Sequence, residues 1–213
     1  MARRSRVDRI GWGRRGRTYV VFQEDTMTET MRHEKAPGPP WPRVIGSVAR
    51  SMTVTIGLLL GGRIRSPRGK VGAVLTLPGG TRSAVFRETQ VDGARRGPPA
   101  VLIVEFRLRL MGSRRFLHAL FRTGCVLNTP LFAGFPGFRT KLWMADVGTG
   151  GYRGLYEWDG ATLAEAYAAA LVRILRPLSV RASVRSTVIP DLPLDAYVDA
   201  LPAAVRRADA ASA

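Results

Sequence analysis

Residues 100–110, AVLIVEFRLRL, alternate in a way that fixes one element of the fold. Leu102, Val104, Phe106, Leu108 and Leu110 fall on one side, and Val101, Ile103, Glu105, Arg107 and Arg109 on the other. A period of two marks a strand, here with one fully apolar face. Such a face must lie under another layer, so the neighbouring sequence has to supply one. Ser113 can cap a helix over 114–126 whose apolar stripe is Phe116, Leu117, Leu120 and Phe121. A second strand is expected over 137–145, GFRTKLWMA, and a glycine-rich turn over 146–151. A third strand, YRGLYEW, covers 152–158. Asp159 or Thr162 caps a second helix that ends near Pro177, with Leu163, Ala166, Tyr167, Ala170, Leu171, Ile174 and Leu175 at helical spacing. Residues 179–189 read as a fourth strand, and 191–213 as a short helix and tail.

The order βαββαβ predicts an α+β, ferredoxin-like domain over 98–190, with both helices on one sheet face. The other face then needs a cover. Trp143 shares a strand face with Arg139 and Lys141, while Tyr152, Tyr156 and Trp158 share another. Large aromatic area is therefore expected near the uncovered side, where exposed apolar surface marks an interface or ligand site. Pairing two copies back to back, as a dimeric α/β barrel, is the expected cover.

The preceding chain differs in character. Residues 1–43 are rich in Arg, Gly and Pro and read as a disordered basic extension. Residues 44–97 hold a helix or strand over 44–62, then a β-hairpin in which 70–77 and 81–89 flank Pro78-Gly79-Gly80. ARRGPP at 94–99 serves as the linker. The sequence leaves open whether the hairpin joins the sheet.

With 33 basic against 16 acidic residues the net charge is +17, and only Lys35, Lys70 and Lys141 are lysines. The charge is spread along the chain, which suits nonspecific attraction to nucleic acid rather than a dedicated site. Cys125 is the one cysteine, and His33 and His118 are the only histidines. No internal disulfide, cysteine cluster or His-rich metal site can form, so neither metal nor bound cofactor is expected, and a cytoplasmic setting fits. The basic start lacks a following apolar run of the secretory kind. The apolar stretch Ser51 to Gly62 lies between Arg50 and Arg63, shorter than the roughly 20 residues a spanning helix needs, so no membrane span is expected.

In order along the second half come PGF (136–138), Lys141-Leu142-Trp143, Gly154-Leu155-Tyr156 with Trp158 and Asp159, and Ala164-x-Ala166-Tyr167. This succession resembles the YdhR-type monooxygenase group of the dimeric α/β-barrel superfamily, over residues 100–190. The resemblance implies a homodimer, a ferredoxin-like protomer and a pocket between sheet and helices. It also implies chemistry without metal or cofactor, in which O2 reacts with an electron-rich aromatic substrate. The chain departs from that pattern in its long N-terminal portion and in the glycine-rich loop at 146–151.

Trp143, Tyr156 and Trp158 are the candidate walls of a pocket for a small aromatic or apolar ligand, with core or interface packing as the competing role. Arg139 and Lys141, with Arg107 and Arg109, could hold a substrate carboxylate or phenolate, or simply pair with Glu105 or Glu157. His118 is a candidate base, or a haem ligand in a haem-binding alternative. Arg115 and Arg122 flank it at helical spacing, which favours its neutral form but equally suits a surface histidine. Cys125 reads as a small buried hydrophobe. A further alternative is a non-catalytic domain that binds a partner or single-stranded nucleic acid through an exposed aromatic sheet.

Overall fold

The structure is a computed structural model and describes residues 38–109 and 129–201. Its centre is one antiparallel sheet. In chain order its elements are α1 (Trp41–Leu60), β1 (Ile64–Arg65), β2 (Val74–Thr76), β3 (Arg82–Val91) and β4 (Pro99–Phe106). After a 3-10 turn (Thr129–Leu131) come β5 (Phe138–Asp146), β6 (Tyr152–Asp159), α2 (Ala161–Leu175), β7 (Arg185–Ile189) and α3 (Leu194–Asp199). The strand order is β1-β3-β5-β6-β4-β7, with β2 also paired to β3.

The run β5-β6-β4-β7 has the strand order of a ferredoxin-like βαββαβ unit, so the fold is α+β and ferredoxin-like. The expected helix over 114–126, with His118 and Cys125, lies outside the described residues. So do the N-terminal portion to residue 37 and the tail from 202. The hairpin question is answered: β2 and β3 pair from Val74↔Ala84 to Thr76↔Arg82, and β3 then pairs along β5 from Ser83↔Asp146 to Gln90↔Thr140. The N-terminal strands thus extend the same sheet past its β5 edge.

Both faces of the sheet are buried within this one chain. Leu102, Val104, Trp143, Tyr156 and Trp158 face α2 and meet Ala164, Tyr167 and Leu171. On the far side, Val101, Leu142, Met144 and Leu155 meet Leu75 and Leu77 beside the hairpin and Leu194 and Tyr197 of α3. This corrects the expectation of a bare, aromatic-rich face. The aromatic residues of β5 and β6 point toward α2, and the far side is aliphatic and already covered. Strand alternation fixed which residues share a face, but only tertiary packing could decide which face each set took.

Several local expectations shift for physical reasons. Asp159 does not cap α2, because Arg139 engages its carboxylate at 2.5 and 2.8 Å; the N-cap is Gly160, with no side-chain cap bond. The buried stripe of α2 runs through Ala164, Tyr167, Ala168 and Leu171, so Leu163 and Ala166 face outward. The fourth strand is shorter than expected, because Val180–Ser183 forms a turn before it.

The region 44–62 is helical, within α1, despite the β-preferring run Thr53-Val54-Thr55-Ile56. Val44, Ser51 and Thr55 form its buried stripe, and tertiary contact overrides propensity there. Ser51 Oγ donates to the Pro130 carbonyl at 2.6 Å. A Cβ at Gly134 would overlap the Ser51 backbone, so this close approach requires glycine. Among the described residues α1 is long and apolar enough to cross a membrane by length and composition, with a mean hydropathy of 1.3. It therefore extends well beyond the short apolar run evident in the sequence.

Candidate functional site

The site grows from register. On β5, Lys141 and Trp143 are two residues apart and share the face beneath α2. The β5–β6 pairing sets Lys141 opposite Tyr156 and Trp143 opposite Gly154. The β3–β5 pairing sets Arg87 opposite Trp143 and Thr89 opposite Lys141, past a bulge between Val85 and Arg87. The indole N–H of Trp143 donates to Thr89 Oγ1 at 3.2 Å, which fixes the ring's orientation.

Lys141 is a buried cation, and its ammonium sits among aromatic rings. Nζ lies 3.1 Å from the Trp143 ring centroid, 4.4 Å from Phe132 and 4.8 Å from Tyr156. Ring faces carry negative potential, so such a cluster favours the cation electrostatically where water is excluded. Tyr156 turns its ring across Gly154, where a Cβ would stand 2.5 Å from the ring edge. Its hydroxyl hydrogen-bonds with that of Tyr167, whose ionisation burial pushes well above the usual tyrosine value, with Tyr156 adding to the shift.

Packing nearly fills the space beside Trp143. What remains is a cavity of about 20 Å³, room for about one water, lined by Lys141, Trp143 and Tyr156 together with Phe86, Phe106 and Tyr152. Phe106 and Tyr152 stack at 6.0 Å and 24°. They also line a second, larger cleft of about 360 Å³ at the end of the sheet.

Three solved structures are similar to this chain. One is an anthrone oxidase-like protein, at 14% identity over 54% of this chain and 59% of that one, with a TM-score of 0.33. This chain thus spans less than two thirds of that protein's length. The second, from Listeria monocytogenes 4b F2365, is an uncharacterized ferredoxin-fold protein related to antibiotic biosynthesis monooxygenases. It is 13% identical over 64% of this chain and 86% of that one, with a TM-score of 0.36. The third is LmHde, a heme-degrading enzyme from Listeria monocytogenes, 13% identical over 63% of this chain and 90% of that one, also with a TM-score of 0.36. Likeness at this level concerns the fold alone. No protein-family model and no curated protein matches the sequence.

Of the residues singled out from sequence, Lys141, Trp143 and Tyr156 come together. Trp158 does not line the cavity; it packs at 4.8 Å on Tyr167 and 5.6 Å on Phe138, and its buried N–H has no acceptor among the described residues. Arg139 lies elsewhere, bound to Asp159 and to the carbonyls of Gly93 and Ala94. It thereby ties the 94–99 linker to the end of β6. Glu157 pairs with Arg95 and accepts from the Leu194 N–H, rather than meeting a strand arginine. His118 lies outside the described residues.

An open aromatic platform for single-stranded nucleic acid is not offered by the described structure. Trp143, Tyr156 and Trp158 are 6%, 2% and 0% exposed beneath α2. The residues that sequence reasoning passed over are Phe86, Phe106, Phe132, Tyr152 and Gly154. Phe132 sits in what reads as a loop, and nothing local announces that it will cover Lys141. Among the described residues no group of three or more His, Cys, Asp or Glu is placed to hold a metal ion.

Proposed function

We propose that this protein binds a small aromatic molecule at the end of the helix-facing side of the sheet and oxygenates it with O2, without a metal or bound cofactor. The observation that carries this reading is the buried Lys141 ammonium, 3.1 Å over Trp143 and beside Tyr156, at a cavity that adjoins a larger cleft. A fixed cation in a water-poor aromatic setting stabilises developing negative charge far better than one in water.

A phenol or activated ring carbon bound there would lose a proton more readily, because the resulting anion meets that cation. The electron-rich anion can then react with O2. Conversion of a phenol C–H to a quinone C=O by one O2 releases one water, so the step balances without a further reductant. Lys141 supplies charge, Trp143 and Tyr156 supply shape, and the stacked Phe106–Tyr152 pair must part to admit a ring. The YdhR-type resemblance over 100–190 supports the same reading and adds a homodimer to it.

The test is O2 consumption by the purified full-length chain with hydroquinone-like and anthrone-like substrates, with no added metal or cofactor. Wild-type protein consumes O2 in proportion to substrate, and Lys141→Met slows it by about a hundredfold, the usual scale for a lost electrostatic stabiliser. No uptake with any such substrate, or uptake unchanged in Lys141→Met, would remove the reading. Sedimentation at micromolar concentration tests the homodimer separately.

A further inference from the structure

The cleft at the end of the sheet has a character of its own. The C-terminal ends of β4 and β5, the N-terminal end of β6 and the turn before β7 converge there. At about 360 Å³ it falls within the range of small-molecule pockets. Its apolar wall is the stacked pair Phe106 and Tyr152. Four arginines line it: Arg107, Arg153, Arg181 and Arg185.

These four are not equivalent. Arg153 is nearly buried and bridges Asp146, at 2.9 Å, and Glu105, so the two carboxylates of the cleft are already neutralised. Among the described residues, Arg107, Arg181 and Arg185 have no carboxylate partner. Three guanidinium groups around one concave surface repel each other unless an anion enters between them. The turn that carries Arg181 is also held in place. Val180 N–H donates to the Arg107 carbonyl at 2.7 Å, Arg107 N–H donates to Ser183 Oγ at 3.2 Å, and Ser183 Oγ donates to the Val180 carbonyl at 2.7 Å. Ala182 adopts φ 60°, a left-handed conformation that a non-glycine residue takes at a cost and that such cross-ties must enforce. The arginines therefore sit on a braced frame.

We propose that this cleft binds the carboxylate of an aromatic acid, with its ring against Phe106 and Tyr152 and its charge held by Arg107, Arg181 and Arg185. The proposal rests on the small-molecule reading above and names the substrate class. Guanidinium forks match a planar carboxylate in geometry as well as charge. The shared Phe106–Tyr152 wall places the ring of such a molecule next to the Lys141 cavity.

The test is calorimetric binding to the full-length chain at about 0.15 M salt, where long-range attraction to a +17 protein is screened. The probes are 2-naphthoate, its neutral analogue 2-naphthalenemethanol, and inorganic phosphate. Naphthoate binds at least about tenfold more tightly than the alcohol, the least a charge-assisted pair should give. The double variant Arg181→Gln/Arg185→Gln loses that preference with its melting temperature unchanged, and Arg107→Gln weakens it. A control with the same charge change at remote exposed sites, Arg50→Gln/Arg68→Gln, keeps it. Equal binding of acid and alcohol overturns the proposal, as does equal loss in the remote control. Displacement of naphthoate by phosphate at equal concentration also overturns it, because the cleft is then a phosphate site. Naphthoate binding without O2 uptake removes the oxygenase reading and leaves this one. Uptake that ignores the acid group removes this one and leaves the oxygenase.

Discussion

Tyr156 lays its ring across the α-carbon of Gly154, two residues earlier on the same strand and the same face. A side chain at 154 would occupy the space of that ring, so the glycine in RGLYEW is what lets Tyr156 reach Lys141. Gly154→Ala should lower stability by about 1–3 kcal/mol, the usual range for overpacking, and displace Tyr156. The check is the denaturation midpoint together with ligand affinity. Unchanged values for both would mean that the ring position carries no constraint.

Lys141→Met removes a buried charge and keeps a chain of similar length. Such replacements are often neutral or stabilising, so the melting temperature should hold or rise while O2 uptake falls. A large loss of stability would assign Lys141 a structural role instead.

Arg139 and Asp159 lock the linker to the sheet. Arg139→Ala leaves a buried carboxylate without its partner and should cost about 3–5 kcal/mol by chemical denaturation. Asp159 loses favourable hydration on burial, but the Arg139 bonds and the Arg96 N–H outweigh that and hold its carboxyl below the ordinary 3.8. The folded state then binds fewer protons than the unfolded one around pH 4. Its contribution is complete above the unfolded value and disappears as pH falls through the lowered folded value. Acid melting curves of wild type and Arg139→Ala should therefore converge as pH drops below about 4. Parallel curves would refute the pairing.

Tyr197 gives the alkaline counterpart. Burial, with a smaller contribution from Glu105, pushes its hydroxyl up to about 12 from 10.0. The unfolded chain therefore releases this proton first, and stability falls between about pH 10 and 12. The hydroxyl is buried without a hydrogen-bond partner among the described residues. Tyr197→Phe should accordingly be neutral or stabilise by about 1 kcal/mol, and should move alkaline unfolding to higher pH. Loss of stability in this variant would show that the hydroxyl has a partner after all.

Much of the fold was legible because its signals are local. AVLIVEFRLRL, GFRTKLWMA and YRGLYEW show their strands through alternation and β-preferring residues, and the α2 segment shows its helix through spacing. The grouping of Lys141 with Trp143, and of Tyr156 with Trp158, followed from strand parity alone. Helix α1 was ambiguous because its threonines and valines favour strand, and only contact with Pro130 and Gly134 settled it. The capping role expected of Asp159 failed because a residue twenty positions away, Arg139, competed for the same carboxylate.

By itself the sequence determined the order of elements and which residues share a face, because both depend on neighbours two to four positions apart. Only the tertiary structure decided that the aromatic face turns toward α2, that Phe132 covers Lys141, and that Arg107 and Arg181 meet at one cleft. Those choices depend on the free energy of burying whole faces against distant segments, and no local period encodes it.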